Sequence, residues 1–359
     1  MGKLVHSYDP NEITICALGS HSALDILDGA KDEGFHTLAV CQKGRERPYK
    51  AFKRIIDEVI LLDEFPAIME RRIQNMLIKK NGIFVPHRSL TAYIDYESIE
   101  NAFMLPLFGN RGLLRIEERT GAKNQYDLLK KAGIRIPQRF ATARDVEGLA
   151  IVKVQEAKRK LERAFFTISS YRDYLEKSRK MVEQGIVSHT DLGSAVIEEF
   201  VLGTYFNFNF FFSPLTEDVE LLGIDRRLQT NLNDFVSLPA REQLEMQPRI
   251  QNIEIGHTPA TIRESMLQKV LEMGERFART VKREYGVGPI GPFALQSSVT
   301  VDLEIVVFDV SPRVPGSPII ATTSPYSKYY YGKVVGTGRR IAMEVRRGIE
   351  ENRLSDLVT

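Results

Sequence analysis

The chain has 359 residues, with 49 Lys+Arg against 47 Asp+Glu and a formal net charge of +2. That length admits two or three domains at ~100–200 residues each. A composition of 43% hydrophobic and 27% charged residues excludes an intrinsically disordered chain. Near-balanced charge speaks against a dedicated nucleic-acid or anionic-membrane surface. Two cysteines, Cys16 and Cys41, exclude a disulfide scaffold and a four-thiolate zinc site. No apolar stretch approaches the ~20 residues that span a bilayer. The start has no apolar signal core, so a soluble, cytoplasmic protein is expected.

Ile13–Gly19 reads as a buried strand, and a helical pattern runs through Ala23, Leu24, Ile26, Leu27 and Ala30 to the stop at Gly34. His36–Gln42 is the next strand, which makes a βαβ unit. Its Gly19-Ser20-His21-Ser22 turn leads into a helix N-terminus, where hydroxyls and free N–H groups suit phosphate. The plainer alternative is a serine that only caps the helix. The following loop, Lys43–Lys50, carries several basic residues, and solvated charge is their ordinary meaning. Val59–Leu62 is a third strand, before an amphipathic helix near 65–79. Ile83–Pro86 then ends in His87-Arg88-Ser89. Ligands of open α/β sheets collect at such C-terminal strand edges. Two strand ends bearing Ser and His therefore predict one small-molecule crevice.

Helical stretches follow near 111–119 and 123–132, stopped by Gly133 and Pro137. Leu149–Val154 is a short strand with Lys153 among apolar neighbours. That lysine is either an edge-exposed charge or the partner of a phosphate, because burying it alone is costly. Val196–Val201 places Glu198 and Glu199 on opposite strand faces. In Tyr205–Phe212, Phe alternates with Asn, so Asn207 and Asn209 share a face. Phe293–Ser297 and Glu304–Arg313 read as a hairpin. If it is symmetric about Asp302-Leu303, Gln296 opposes Asp309, and together they suit a hard cation. Asp309, Ser311 and Arg313 share a face unless Pro312 breaks the strand.

A strand lysine, a Glu198-Glu-Phe-Val201 linker and a late strand carboxylate resemble the ATP-grasp ligases. Ala17–Phe35 is similar to the archaeal formate-dependent purine ligases, the formaminoimidazole carboxamide ribonucleotide (FAICAR) synthetases. The likeness recurs in Lys43–Lys50, Phe84–His87, Phe108–Arg111, Ile197–Thr204, Val219–Asp225, Gln243–Met246, Ile262–Ser265 and Ile290–Gln296, and so spans essentially the whole chain.

The resemblance implies an ATP-grasp fold of class α/β. An N-terminal open parallel-sheet domain would occupy 1–120, a small lid 121–203, and a C-terminal α+β domain 204–359. It implies an ATP-dependent carbon–nitrogen ligase of purine (IMP) biosynthesis. Formate would be joined to the amine of aminoimidazole carboxamide ribonucleotide (AICAR), with ATP and Mg²⁺ (or Mn²⁺) as cofactors and a homo-oligomeric assembly. His21, Ser20, Ser89 and His257 would bind the ribonucleotide. Lys153, Lys123, Glu198, Glu199, Phe200, Val201 and Gln229 would bind ATP. Gln296 and Asp309 would hold metal, and Arg313 would contact phosphate as the catalytic arginine.

The chain also departs from the family pattern. Residues 155–166 contain no glycine where the family carries a glycine-rich triphosphate loop, and they favour helix. His257 replaces an Asn, Gln229 a Glu, and Asp309 a longer Glu. Ser311 stands where many ATP-grasp enzymes place a metal-binding Asn. Two alternatives therefore stay open: a paralogue that binds nucleotide without ligating, and a ligase using another acid.

Overall fold

The computed structural model describes residues 2–118, 121, 123–154, 165–229, 238–245, 254–318 and 320–359. The first sheet contains β1 (Thr14–Leu18), β2 (His36–Gln42), β3 (Glu58–Leu62) and β4 (Gly82–Phe84), in the all-parallel order β3-β2-β1-β4. Its central strands, β1 and β2, are mostly apolar and almost entirely buried because both faces are covered. On one face Ile15, Ala17 and Ile83 meet Ile26 and Leu27 of helix Ala23–Asp32 and Ile341 and Val345 of helix Thr337–Glu350. On the other, Cys16, Leu18 and Phe84 meet Phe65, Leu77 and Phe103.

The chain leaves β1 for β2 on one side and later adds β4 on the other. The strand order thus reverses beside β1, and a crevice opens beyond the carboxyl ends of β1 and β4. Both Ser/His strand ends lie there. The expected helix near 65–79 is instead a 3₁₀ turn, Phe65–Met69, and a helix, Arg71–Ile78, divided by the extended Glu70. Phe65, Ile68, Ile73 and Leu77 all reach one core. A straight helix would spread them around about half its circumference, and the break lets all four face inward.

A second, antiparallel sheet contains β5 (Arg139–Phe140), β6 (Ala150–Lys153), β7 (Phe165–Ile168) and β8 (Val196–Glu199), in the order β5-β8-β6-β7. Residues 155–164 join β6 to β7, so the expectation of a helix in place of the glycine loop lies outside the described residues. Phe165 and Phe166 belong to β7.

The third sheet runs β11-β10-β9-β12-β13, built from β9 (Thr204–Phe212), β10 (Val219–Gln229), β11 (Glu254–Ala260), β12 (Gly291–Val299) and β13 (Ile305–Ser311), all antiparallel. Phe208 and Phe210 project from one face of β9 onto Met266, Val270, Met273 and Phe277. Those four recur at helical spacing along Glu264–Tyr285. The opposite face carries Phe211, which joins the core of the first sheet, and beyond it the polar Asn207 and Asn209. Register sets Asp309 opposite Gln296, Gln296 opposite Asn207, and Asn207 opposite Asp225.

Helix Thr337–Glu350 returns to the first sheet and packs against helix Ala23–Asp32. Gly29 and Gly338 make this possible, since a Cβ on Gly29 would strike the Arg339 backbone and one on Gly338 would strike Asp25. The chain end then pairs with Phe108 through Val358.

Candidate active site

The crevice begins at the turn after β1. His21 holds a left-handed backbone, φ 49°, a conformation uncommon outside glycine and concentrated at functional turns. Gly19 packs closely on Cys41 and Tyr49, which a Cβ there would strike. Ser22 precedes helix Ala23–Asp32 yet makes no side-chain cap. Its hydroxyl donates to Pro315 O at 2.7 Å, tying this turn to the segment after β13. Because that proton is committed, the 2.6 Å contact between Ser22 Oγ and His21 Nδ1 makes Nδ1 the donor. His21 Nε2 is then an acceptor. It lies beside Gly316, where a Cβ would come within 3.1 Å of it. Ser20 is half-buried in the same turn.

His87, from the end of β4, stacks on His21 with ring centroids 5.6 Å apart. Its Nε2 donates to Leu18 O at 2.9 Å and its Nδ1 accepts from the Ser89 N–H at 3.3 Å. Both ring nitrogens are thus engaged as a neutral imidazole. Burial first, then the Arg313 charge, pushes its pKa down to about 4, despite the bond to Leu18. His21 is also held neutral, by its crowded surroundings and then by Arg313 and His87. Ser89 is buried below this pair.

Arg313 lies beyond β13, which ends at Ser311 before Pro312, so it does not share the strand face of Asp309 and Ser311. It is buried, with Nε 3.0 Å from Glu117 Oε1. Glu117 also pairs with Arg88, at 3.0 Å. One carboxylate therefore links the end of β4 to the segment after β13.

The polar sheet face supplies the opposite wall. Asp225 is fully buried and accepts from Asn207 at 2.7 Å and Asn209 at 2.6 Å. His257 Nδ1 donates to Asp225 at 2.5 Å, and its Nε2 donates to Glu254 at 2.8 Å. Burial opposes charge on this ring, but the two carboxylates outweigh it and push its pKa up to about 9. His257 is therefore an imidazolium at neutral pH. A Cβ on Gly316 would lie 3.4 Å from its Nε2, so His21 and His257 reach the same glycine.

Gln296 and Asp309 are directly opposed, the expected pairing, reached through a bulge at Gln296/Ser297. Gln296 Nε2 turns to Ser311 at 3.4 Å, which directs its amide oxygen away from that hydroxyl. Among the described residues no group of three or more His, Cys, Asp or Glu is arranged to hold a metal ion. One carboxylate and one amide oxygen still fit Mg²⁺, which is commonly held by one or two side chains together with substrate phosphates.

Lys153 is neither edge-exposed nor facing only solvent. It is buried and ion-paired with Glu198, which also accepts from Tyr126 at 3.0 Å. Glu199 points the other way and accepts from the Gln138 N–H at 3.1 Å. The backbone N–H groups of Glu199 and Phe200 donate to Gln138 O and Leu149 O. Val201 is buried, and its carbonyl accepts from Ser298. Lys123 is exposed, donating to Glu284 O and lying over the Tyr285 ring. Gln229 closes β10 opposite Glu254, and its side chain lies outside the described residues.

Asp225, Glu254 and Glu117 are members of this site that carried no assigned role in the sequence. Asp225 had a legible signal, an acid that directly follows the run Leu221–Ile224. Glu117 and Glu254 had none, because their partners come from distant segments.

Comparison with known proteins agrees with this architecture. Residues 15–140 match a protein family of unknown function (DUF1246), and residues 173–359 match a domain of unknown function (DUF1297). A 5-formaminoimidazole-4-carboxamide-1-(beta)-D-ribofuranosyl 5'-monophosphate synthetase of Methanocaldococcus jannaschii is 39% identical over 358 residues, covering 99% of this chain and 98% of that protein. Its counterpart in Methanopyrus kandleri is also 39% identical, over 99% of this chain and 98% of its own length. A crystal structure of the IMP biosynthesis protein PurP from Thermococcus kodakaraensis superposes with a TM-score of 0.74 at 29% identity, covering 96% of this chain and all of that one. The ADP complex of an N5-carboxyaminoimidazole ribonucleotide synthetase, at 14% identity and TM-score 0.59 over 91% of this chain and 78% of its own, shares the fold. The chain has the ATP-grasp fold and belongs to the 5-formaminoimidazole-4-carboxamide ribonucleotide synthetase family.

Proposed function

We propose that this protein is an ATP-dependent carbon–nitrogen ligase of purine biosynthesis, which formylates the amine of AICAR with formate to give FAICAR. The full-length identity to named synthetases is the observation that carries this reading. Formate would attack the γ-phosphorus of ATP through one carboxylate oxygen, releasing ADP and forming formyl phosphate. The amine would then attack the formyl carbon, expelling phosphate and losing a proton.

The chain's residues divide the work in a way the crevice supports. Neutral His21 offers Nε2 as an acceptor to the ribonucleotide, with Ser20, Ser89 and cationic His257 beside it. The linker Glu198–Val201 receives adenosine, with Gln229 and Lys123 as outlying ATP contacts. Lys153, held by Glu198, meets the triphosphate. Asp309 and Gln296 would hold Mg²⁺, which supplies charge neutralisation of the transferring phosphoryl group when bound. Arg313 adds a fixed positive charge from the end of β13. Divisions near 120 and 203, a cytoplasmic site of action and a homo-oligomeric assembly belong to the same reading. The first division separates β1–β4 from β5–β8, and the second separates β5–β8 from β9–β13.

The test is ADP release and product formation by purified protein with Mg²⁺, ATP, formate and AICAR. ADP release that requires both formate and AICAR is expected. ATP binding without turnover would reject the ligase, and turnover only with another carboxylic acid would reject formate.

A further inference from the structure

Glu254 lies at the edge of the crevice with its carboxylate bridging two cations. Oε1 is 2.8 Å from His257 Nε2, and Oε2 is 2.9 Å from Arg227 Nε. On its other side His257 is committed to the fully buried Asp225, so its ring orientation is fixed without Glu254. The contact to Arg227 satisfies charge but not direction. Arg227 Nε is buried and has no aligned hydrogen-bond acceptor among the described residues. Arg313 Nε is in the same condition beside Glu117. Glu254 also acts electrostatically on His21, which places it within reach of the proposed ribonucleotide residues.

Two oxygens held between an imidazolium and a guanidinium have the shape and charge of a bound oxyanion. Glu254 is about one-third exposed, whereas Asp225 is sealed in, so only one of the two acids can leave without breaking the sheet. We propose that Glu254 is an internal stand-in for a substrate oxyanion: it occupies the place between His257 and Arg227 that a substrate phosphate or carboxylate takes, and it withdraws when that group binds. This rests on the ligase reading for the identity of the substrates but not for the existence of the anion site.

Withdrawal lets the incoming group use the His257 Nε2–H and gives Arg227 an aligned acceptor. It costs the interaction of Glu254 with both cations, so the empty enzyme binds its anion more weakly than it would without this acid. The chemistry is common to the ribonucleotide phosphate and to formate, and their separate affinities distinguish them.

The experiment is calorimetry of the full chain and its Glu254→Gln and Glu254→Ala variants with inorganic phosphate, AICAR, formate and ATP. Removing one competing charge is expected to tighten the anion that uses the site by about tenfold and to leave ATP unchanged. A gain for phosphate and AICAR assigns the ribonucleotide phosphate, and a gain for formate alone assigns the carboxylate. The gain should vanish in the double variant with His257→Asn. Unchanged or weaker binding of all three anions by folded variants, including a lowered melting temperature without altered affinity, would overturn the proposal. Because binding is read without turnover, an inactive protein that still gains phosphate affinity would reject the ligase reading and keep the anion site.

Discussion

Asp225 holds His257 across a 2.5 Å hydrogen bond while accepting from Asn207 and Asn209 through the same carboxylate. One buried acid thereby sets a cation on β11 and two amides on β9, and Asn207 is in turn the register partner of Gln296. The proposed substrate wall and the proposed metal face are thus aligned by one residue.

That relationship predicts a pH dependence. His257 is raised from the ordinary histidine range to about 9, with burial opposing and both carboxylates favouring the charge. A raised folded-state pKa gives stability that is complete below the unfolded pKa of about 6.5 and lost as pH rises through the folded value. Unfolding free energy should therefore fall between pH 6.5 and 9, by on the order of 3 kcal/mol if His257 acts alone. His257→Asn should flatten this decline in urea titrations. An identical slope in the variant would assign the dependence to other groups.

Lys153 and Glu198 form a buried ion pair. Removing one partner of such a pair leaves an uncompensated charge, costing about 3–5 kcal/mol. Glu198→Gln should lower stability on that scale and weaken ATP binding, because Lys153 loses its anchor. Lys153→Met should abolish measurable ATP-phosphate affinity. Denaturant midpoints and calorimetry with ATP and AMP check both, and full ATP affinity in Lys153→Met would remove this lysine from the phosphate site.

Asp309 is the single carboxylate of the proposed metal pair. Asp309→Ala should raise the Mg²⁺ concentration for half-maximal turnover by at least about tenfold with little change in the Kd for AICAR. EDTA should abolish turnover in the unmodified protein. An unaltered Mg²⁺ requirement in the variant would place the metal elsewhere.

The crossing of helices Ala23–Asp32 and Thr337–Glu350 depends on backbone contact at Gly29 and Gly338. Gly338→Ala should cost about 1–3 kcal/mol by overpacking, read as a lower melting temperature. An unchanged melting temperature would show that the helices can separate freely.

Much of the first sheet was readable because its strands are local apolar runs with a helix between them, and β2 occupies the expected His36–Gln42. The Gln296–Asp309 pairing was named from a turn centred on Asp302-Leu303, but the ladder beside the turn, Val299 opposite Ile305, is centred on Asp302. A bulge at Gln296/Ser297 then shifts the register by one and brings Gln296 opposite Asp309, a step that counting along the sequence does not reveal. The partners of Lys153, Arg313 and His257 were not readable. Each comes from a segment whose neighbourhood is set by pairing of strands far apart in the chain, and strand periodicity says which face a residue takes but not what lies across from it. The break at Glu70 was hidden for a related reason, because an amphipathic pattern does not reveal where one helix is better served as two pieces.

The proposed function depends on formate being activated by phosphoryl transfer from ATP before it is joined to the ribonucleotide amine. Turnover with ATP, Mg²⁺, AICAR and ¹⁸O-labelled formate reads that step. The expected products are FAICAR, ADP, and inorganic phosphate carrying one formate-derived oxygen. FAICAR formed with unlabelled phosphate would contradict the formyl phosphate route, and ATP bound without any product would contradict the ligase itself.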